Sequence, residues 1–232
     1  MRLDKMLSEC TSESRSAIKK LIRQGRVTVN GVRAASPEQK IDETRDEVAV
    51  DGGIVPYKPF IYLILNKPEG YVSATEDKSE RTVLELVPDE YKGRQLFPAG
   101  RLDKYTTGLM IITNDGRFAH EALSPKSHVK KTYIVGLSEP PTEDDVRAFR
   151  EGVYIEGGYL TKSAELEITG DYEARVTISE GRYHQIKKMF GARGNRVVKL
   201  KRISFGGLKL PDDLSEGEVR ELTAEEKERI FC

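Results

Sequence analysis

Cysteine is nearly absent from this 232-residue chain, which holds only Cys10 and Cys232 near its opposite ends. Two cysteines so far apart make neither a disulfide framework nor a cysteine-based zinc site. Histidine is also scarce, because the chain has only His120, His128 and His184 and no acidic residues spaced to join them as ligands. We therefore expect no metal site.

Long hydrophobic runs are lacking too. Apolar segments such as residues 61–65 are far shorter than the roughly 20 residues that span a bilayer. No charged segment followed by an apolar core opens the chain, so no secretory signal is predicted. We expect a cytoplasmic protein that does not contact membranes. Hydrophobic residues make up 38% of the chain, which is enough to build a sizeable core.

A net charge is also missing, since 38 basic residues balance 38 acidic ones, but the charges are segregated along the chain. The first 35 residues hold eight basic residues against three acidic ones. Residues 181–209 hold nine basic residues and no acidic one, whereas the tail after Pro211 is acidic. Binding to a polyanion depends on local potential, so the two basic segments indicate RNA or DNA as a partner.

The first 35 residues have the pattern of two short helices and a hairpin. The apolar residues recur at helical spacing in two stretches, Leu3, Met6, Leu7 and Cys10, then Ile18, Leu21 and Ile22. Ser12 or Ser14 can cap the second helix, and Asn30-Gly31 is a strong hairpin turn. Basic side chains share one face of the second helix and can follow a phosphate backbone, namely Arg15, Lys19, Arg23 and Arg26. A merely solvated face is an equal alternative.

A turn-rich stretch at residues 51–56 predicts a linker, so we divide the chain into a small domain at 1–56 and a larger one at 57–232. Strand-like segments in the larger domain start at Phe60, Gly108, Thr132 and Ala174. Helical segments start at Arg117 and Thr142. The irregular mixture of hairpins and helices favours an α+β domain with a mainly antiparallel mixed sheet flanked by helices.

One loop of the larger domain carries a carboxylate between two cations. Asp103 lies between Arg101 and Lys104, which would stabilise its ionised form for work as a nucleophile or a base. The alternative is a loop Asp that hydrogen-bonds to its own backbone. Asn114-Asp115-Gly116 is interpreted as a turn without chemistry.

Two further segments carry candidate residues. Tyr133 lies in a predicted strand, where it is either a core residue or a ring that stacks on a base. The segment from Glu180 to Phe190 turns into a helix whose predicted core side is Ile186, Met189 and Phe190. Lys187 and Lys188 need not face that core and can equally be solvated.

The pattern MRLDKML…SRSAIKKLIRQGRVTVNG resembles an S4 domain, a small RNA-binding fold with an α/β structure. The resemblance covers about residues 1 to 50, and it implies RNA binding without catalysis. The residues to which it assigns this role are Arg2, Lys5, Arg15, Lys19, Lys20 and Arg23.

Four ordered motifs resemble the RsuA family of pseudouridine synthases, and with the S4-like segment the resemblance runs through the chain. They are LNKPEGYVSA, AGRLDKYTTGLMIITNDG, KKTYIV and EGRYHQIKKMF. The family converts uridine to pseudouridine without a cofactor or a metal. The resemblance makes Asp103 the catalytic aspartate, Tyr133 the active-site tyrosine and Lys187 the basic partner of the carboxylate.

The same resemblance assigns substrate contacts. Ile186 matches the apolar side chain that packs against uracil, and Arg101 matches an arginine that contacts RNA near the extruded nucleotide. His184 and Gln185 stand beside Ile186 in the same motif and are assigned to substrate binding with it. The TTGL and YHQIK sequences look like the branch that acts on small-subunit ribosomal RNA.

We therefore expect ribosomal RNA as the partner, either small-subunit RNA or a pre-ribosomal particle, and a monomeric enzyme. Two alternatives remain open. One is the same chemistry on large-subunit or transfer RNA, and the other is a non-catalytic RNA-binding protein of ribosome assembly.

Overall fold

A computed structural model of the protein describes residues 1–11, 13–91, 93–124 and 127–232. The chain divides into two compact units. The first comprises Met1–Ile61 and Val87–Leu96, and the second comprises Tyr62–Leu86 and Phe97–Cys232. No helix within the described ranges is both long enough and apolar enough to cross a membrane.

The first unit packs two helices on a small antiparallel sheet. Its helices are α1 (Leu3–Cys10) and α2 (Arg15–Arg23), and its strands are β1 (Val27–Val29), β2 (Val32–Arg33), β3 (Val48–Val50) and β4 (Gly53–Ile54). The sheet order is β2-β1-β3-β4. Ser14 caps α2, since its side chain accepts a hydrogen bond from the backbone N–H of Ala17 at 3.2 Å. Ser12, the other predicted cap, lies outside the described residues.

The apolar pattern of the sequence becomes the core of this unit. Leu3, Met6 and Leu7 of α1 pack with Ile18 and Ile22 of α2 in one buried cluster. Alternation along a strand sends every second side chain to one face, and the sheet completes the cluster with Val27, Val29 and Val48. The predicted helices and hairpin are thus confirmed.

Two expectations for this part of the chain are wrong. Residues 51–56 are not simply a linker, because Asp51 and Gly52 form a turn and Gly53–Ile54 pairs with β3. Arg26 does not belong to the basic row on α2, because the helix ends at Arg23. Arg26 instead makes a two-pronged ion pair with the carboxylate of Asp51.

The second unit is an α+β fold built on one large sheet, as predicted. Its strands are β5 (Tyr62–Lys67), β6 (Phe97–Pro98), β7 (Thr107–Thr113), β8 (Lys131–Leu137), β9 (Tyr154–Ile155), β10 (Tyr159–Leu160), β11 (Glu165–Gly170), β12 (Glu173–Ile178), β13 (Val197–Phe205), β14 (Leu208–Lys209) and β15 (Val219–Glu221). Its helices are α3 (Gly116–Leu123), α4 (Glu143–Glu151), α5 (Gln185–Ala192) and α6 (Ala224–Arg229).

Within the described residues the main path of the sheet runs β11-β12-β8-β13-β7-β5-β15. Neighbouring strands are antiparallel except for β13 and β7, which pair in parallel. That parallel pair brings Gly108 against Arg202, where a side chain in place of the glycine hydrogen would meet the Arg202 carbonyl oxygen at 2.2 Å. Only glycine fits at this position, which lies directly after the loop that carries Asp103.

Asp115 has a role that the sequence interpretation missed. It is the N-cap of α3, and its carboxylate accepts hydrogen bonds from the backbone N–H groups of Arg117 and Phe118. The same carboxylate accepts a hydrogen bond from the Tyr62 hydroxyl at 2.7 Å. The interpretation of residues 114–116 as a bare turn is therefore wrong, since they start a helix and attach it to the sheet.

Candidate active site

A pocket of about 570 Å³ opens on one side of the second unit. Its walls come from the loop that precedes β7, from β8 and β13 of the sheet, and from the turn that enters α5. Every residue that the sequence assigned to catalysis or substrate binding lines this pocket, namely Arg101, Asp103, Tyr133, His184, Gln185, Ile186 and Lys187. The fold therefore brings together residues from three distant motifs.

The Asp103 loop is held at both ends by hydrogen bonds. Upstream, the Ser73 hydroxyl donates to the Leu102 carbonyl at 2.6 Å and accepts from the Leu102 backbone N–H at 2.9 Å. Downstream, the backbone N–H of Thr106 donates to the Asp103 carbonyl at 3.0 Å and closes a turn. These bonds fix the backbone of Asp103 while its side chain remains 28% exposed to the pocket.

A buried lysine also fixes this loop, through hydrogen bonds to its backbone carbonyl oxygens. Lys67 is fully buried, and its ammonium donates to the carbonyl oxygens of Pro68, Lys104 and Thr106 at 3.0, 3.2 and 2.9 Å. Burial lowers the pKa of Lys67 from 10.5 to about 8, although the negative charges of Asp103 and Glu69 oppose that shift. The sequence analysis gave Lys67 no role. Its position at the end of an apolar strand, directly before a proline, was the available signal.

The side chain of Asp103 faces two basic groups from α5 and the turn before it. One carboxylate oxygen lies 3.3 Å from Nζ of Lys187, and the other lies 3.3 Å from Nε2 of His184. All three side chains are about one-third exposed, so the group is accessible from the pocket. The pairing that the resemblance implied for Lys187 is present in the structure.

The cations next to Asp103 in the sequence do not form this pair. Lys104 turns away and bridges Glu80 at 2.6 Å, while Arg101 is exposed at the rim of the pocket. Adjacent residues of an extended loop point in different directions, so sequence neighbours are poor guides to ion pairs. The cation that contacts the carboxylate comes from a helix far along the chain.

His184 takes an unusual conformation at the start of α5. Its φ of 54° lies in the left-handed region that few residues other than glycine adopt, and its ring stacks on Tyr183 with the centroids 3.8 Å apart. Tyr183 is 71% exposed beside the pocket. With this backbone conformation, the His184 ring lies 3.3 Å from the Asp103 carboxylate.

Gln185 and Ile186 are both buried at the start of α5. The Gln185 side chain donates to Glu180 at 2.8 Å and accepts from the backbone N–H of Arg182 at 2.9 Å. Those bonds hold the turn before the helix, which favours a positioning role over the predicted substrate contact. Ile186 is 3% exposed and presents an apolar surface to the pocket.

Tyr133 lies on the sheet side of the pocket and is 8% exposed. It pairs in register with Val176 of β12 on one side and with Arg202 of β13 on the other. Lys131, two residues before it on the same face of β8, also lines the pocket, as does Arg202. The sequence analysis missed Lys131 and Arg202 as site residues, because both stand in strands whose buried faces are otherwise apolar.

The basic residues assigned to RNA binding lie in the first unit. Arg2 is engaged by Asp4 at 2.7 Å and by Glu38 at 3.1 Å, and Lys5 lies 3.7 Å from Glu9. The remaining four, all on α2, form no ion pair with a described residue, namely Arg15, Lys19, Lys20 and Arg23. The free cationic surface is therefore the helix α2 rather than the start of the chain.

Across residues 1–11, 13–91, 93–124 and 127–232, no three His, Cys, Asp or Glu side chains cluster in a way that could hold a metal ion.

Comparison with known families assigns both units. Residues 61–192 match the family described as RNA pseudouridylate synthase, and residues 1–55 match the S4 domain. The S4 match includes the exposed cations of α2, and the synthase match includes Asp103, Tyr133 and Lys187 of the pocket.

Similar proteins extend over nearly the full length of the chain. It is 47% identical over 230 residues to the uncharacterized RNA pseudouridine synthase YtzG of Bacillus subtilis, covering 97% of this chain and 96% of that protein. It is 44% identical over 228 residues to the ribosomal small subunit pseudouridine synthase A of Escherichia coli strain K12, covering 97% and 98%.

A solved structure agrees with these relatives. The crystal structure of a pseudouridylate synthase, 41% identical in sequence, matches with a TM-score of 0.70 over 99% of both chains. The chain therefore belongs to the RNA pseudouridylate synthase family, as an enzyme of the RsuA type that combines an S4 domain with a pseudouridine synthase domain.

Proposed function

We propose that this enzyme converts one uridine of small-subunit ribosomal RNA to pseudouridine, with Asp103 as its carboxylate catalyst. The pairing of Asp103 with Lys187 at 3.3 Å inside the pocket carries the catalytic part of the proposal. The substrate part is supported by the near full-length similarity to proteins named as ribosomal small subunit pseudouridine synthase A. The similar proteins are bacterial, and bacterial ribosomal RNA is modified in the cytoplasm, so we place the enzyme there.

The chemistry explains why a pocket with one carboxylate suffices. The reaction breaks the bond between N1 of uracil and C1′ of ribose, turns the base and rejoins it through C5. A base within a helix cannot be reached, so the nucleotide is extruded at a cost of a few kcal/mol. A pocket of about 570 Å³ falls within the usual range for a ligand of this size.

The proposed roles follow from where each side chain lies. Asp103 acts either as nucleophile at C1′ or as the base for the C2′ proton, and Lys187 holds its carboxylate in place by an ion pair. Tyr133 and Ile186 provide the flat and apolar surfaces between which uracil is held. Arg101, exposed at the rim, is placed to contact the RNA strand next to the extruded nucleotide.

The S4 unit supplies affinity rather than chemistry. Arg15, Lys20 and Arg23 are exposed on α2 and can contact phosphates of a folded RNA. Such contacts are independent of sequence and position the protein on its substrate. The target uridine would be selected by the shape of the RNA around the extrusion site.

The test of the substrate class is tritium release from ribosomal RNA labelled at C5 of uridine. Forming the C5–C1′ bond displaces that hydrogen, so the signal reports the reaction itself. Small-subunit RNA, large-subunit RNA and small-subunit assembly intermediates are compared with purified enzyme. Release near one equivalent from small-subunit RNA or its assembly intermediate alone supports the proposal. Release from large-subunit RNA alone would show that large-subunit RNA is the substrate instead. Binding of RNA without any tritium release would support a non-catalytic assembly protein.

A further inference from the structure

Two cations lie on the floor of the pocket, on neighbouring strands of the sheet. Lys131 on β8 is 8% exposed and Arg202 on β13 is 3% exposed, and both line the cavity that Asp103 faces. Tyr133 stands between them in the sheet, since it is two residues from Lys131 on the same face and is the register partner of Arg202. The mechanism derived above uses neither cation.

Neither cation has a carboxylate partner in the part of the chain that the structure describes. Nε of Arg202 donates to the Leu109 carbonyl at 2.7 Å, but its Nη2 is buried without a hydrogen-bond partner there. Nζ of Lys131 lies 5.4 Å from the Phe205 ring centroid, and Cζ of Arg202 lies 5.2 Å from the same centroid. The hydroxyl of Thr106, which also lines the pocket, is equally unpartnered among the described groups.

Two buried cations without carboxylate partners lower the stability of the folded state, so we expect them to serve a function. An unpaired buried cation costs several kcal/mol, and two cations near one another add their repulsion. Burial, and to a smaller extent the positive charge of Arg202, lower the pKa of Lys131 from 10.5 to about 8. Lys131 is therefore still mainly protonated at neutral pH, so the floor presents positive charge and unused donors to whatever enters the pocket.

We propose that Lys131 and Arg202 bind the uracil anion that leaves ribose when the glycosidic bond breaks, an inference that rests on the proposed function. As the C1′–N1 bond breaks, its electron pair goes to uracil and spreads over N1, O2 and O4. This holds whether Asp103 bonds to C1′ or removes the C2′ proton. C5 of the anion then bonds to C1′. In the first route this displaces the Asp103 carboxylate from C1′, and in the second route Asp103 returns its proton to C2′. The C5 proton then leaves and N1 gains a proton, so no oxidant or reductant is needed.

The depth of the two cations favours the base over a backbone phosphate as their ligand. A nucleotide with its C1′ at Asp103 has its phosphates on the outer side, because they continue into the RNA strand outside the pocket. Its base reaches inward towards the sheet, where Tyr133, Lys131 and Arg202 share one face. Fixed charges aimed at a developing anion in a water-poor site stabilise the transition state strongly.

The test compares Lys131→Met with the charge-preserving Lys131→Arg and with Lys130→Met. Lys130 is an exposed neighbour that pairs with Glu165 at 3.0 Å and lies outside the pocket. Single-turnover rates are measured on RNA carrying uridine or 5-fluorouridine at the target position, by nuclease digestion and liquid chromatography with mass spectrometry. Chromatography separates pseudouridine from uridine, which has the same mass. For 5-fluorouridine the rate is the loss of the starting nucleoside, since the C5 fluorine blocks the final proton loss after the C5–C1′ bond has formed. Fluorine at C5 makes uracil a more stable anion, so its departure depends less on protein cations.

We expect Lys131→Met to slow the uridine substrate by about 100-fold, the usual effect of removing one preorganised donor. The 5-fluorouridine substrate should be slowed by about tenfold or less, with Lys131→Arg recovering much of the loss and Lys130→Met having no effect. The melting temperature of Lys131→Met should not fall, because the substitution removes an unpaired buried charge.

Other outcomes overturn the inference. If Lys131→Met slows the uridine and 5-fluorouridine substrates equally and weakens RNA binding, Lys131 is a phosphate contact. If it slows both equally and lowers the melting temperature by a large amount, Lys131 has a structural role. Undiminished turnover by Lys131→Met also refutes it. In each of these cases wild-type turnover still upholds the proposed function, whereas a wild type that acts on no RNA overturns both.

Discussion

The carboxylate of Asp103 lies 3.3 Å from the ammonium of Lys187, although the two residues belong to motifs at distant points of the chain. The loop before β7 presents one partner, and the first turn of α5 presents the other. Lys67 fixes the backbone of the loop by donating to its carbonyl oxygens, and Lys187 pairs with the Asp103 carboxylate. The ion pair is thus the product of three separate segments.

Replacing Lys187 by Met should lower the single-turnover rate on the RNA that proves to be the substrate by roughly 10²–10³-fold. The reason is that Asp103 loses the group that orients its carboxylate. RNA affinity should change much less. The matched control is Lys162→Met, since Lys162 is exposed and lies outside the pocket. Similar rates for both variants would show that the pair with Asp103 is not needed for chemistry.

Replacing Lys67 by Met should destabilise the protein. Three carbonyl oxygens would lose their buried donor, so the free energy of unfolding should fall by about 2–4 kcal/mol. Urea denaturation of this variant and of Lys78→Met, an exposed lysine of the same unit, measures the difference. If the unfolding free energy of Lys67→Met falls no more than that of Lys78→Met, the hydrogen bonds of Lys67 do not stabilise the fold.

The salt dependence of RNA binding should separate two arginines that lie close together in sequence. Arg23 is exposed at the end of α2 without an ion pair to a described residue, whereas Arg26 is engaged by Asp51. Arg23→Gln should lower the slope of log affinity against log salt by about one, as expected for one lost phosphate contact. Arg26→Gln should change the slope less. Equal slopes for both variants and the wild type would exclude Arg23 as a contact.

Stability should depend on pH through Lys131. Burial lowers its pKa in the folded state from 10.5 to about 8, so between those values the unfolded chain holds the proton and the folded chain does not. The contribution of Lys131 to stability therefore rises as the pH increases from about 8 to 10.5. Unfolding free energies of wild type minus Lys131→Met should increase across that interval. A constant difference would show that the lysine is not held as a buried cation.

Regular elements were predictable because local patterns determine them. The spacing of Leu3, Met6 and Leu7 predicts α1, and alternation into Asn30-Gly31 predicts the first hairpin. The predicted linker was wrong because glycine-rich composition is the same in a linker and in a tight turn between two strands. Gly52 and Gly53 belong to such a turn and to the strand that follows it.

The candidate site was predictable only in part. The motifs identified Asp103 and Lys187, and the structure adds their contact. Lys67 escaped notice because its partners are backbone carbonyls, which any sequence provides. Lys131 and Arg202 escaped notice because their burial depends on β8 and β13 pairing in one sheet, a contact between distant segments. Local periodicity contains no information of that kind.

Tritium release by Asp103→Asn tests the central claim most directly. The substitution keeps the size of the side chain and removes its negative charge, and Asp171→Asn serves as a control at an exposed turn. With small-subunit RNA labelled at uridine C5, wild type and Asp171→Asn should release about one equivalent of tritium. Asp103→Asn should release none while binding the RNA and melting as the wild type does. Undiminished release by Asp103→Asn would contradict the account, because the reaction would then not depend on this carboxylate.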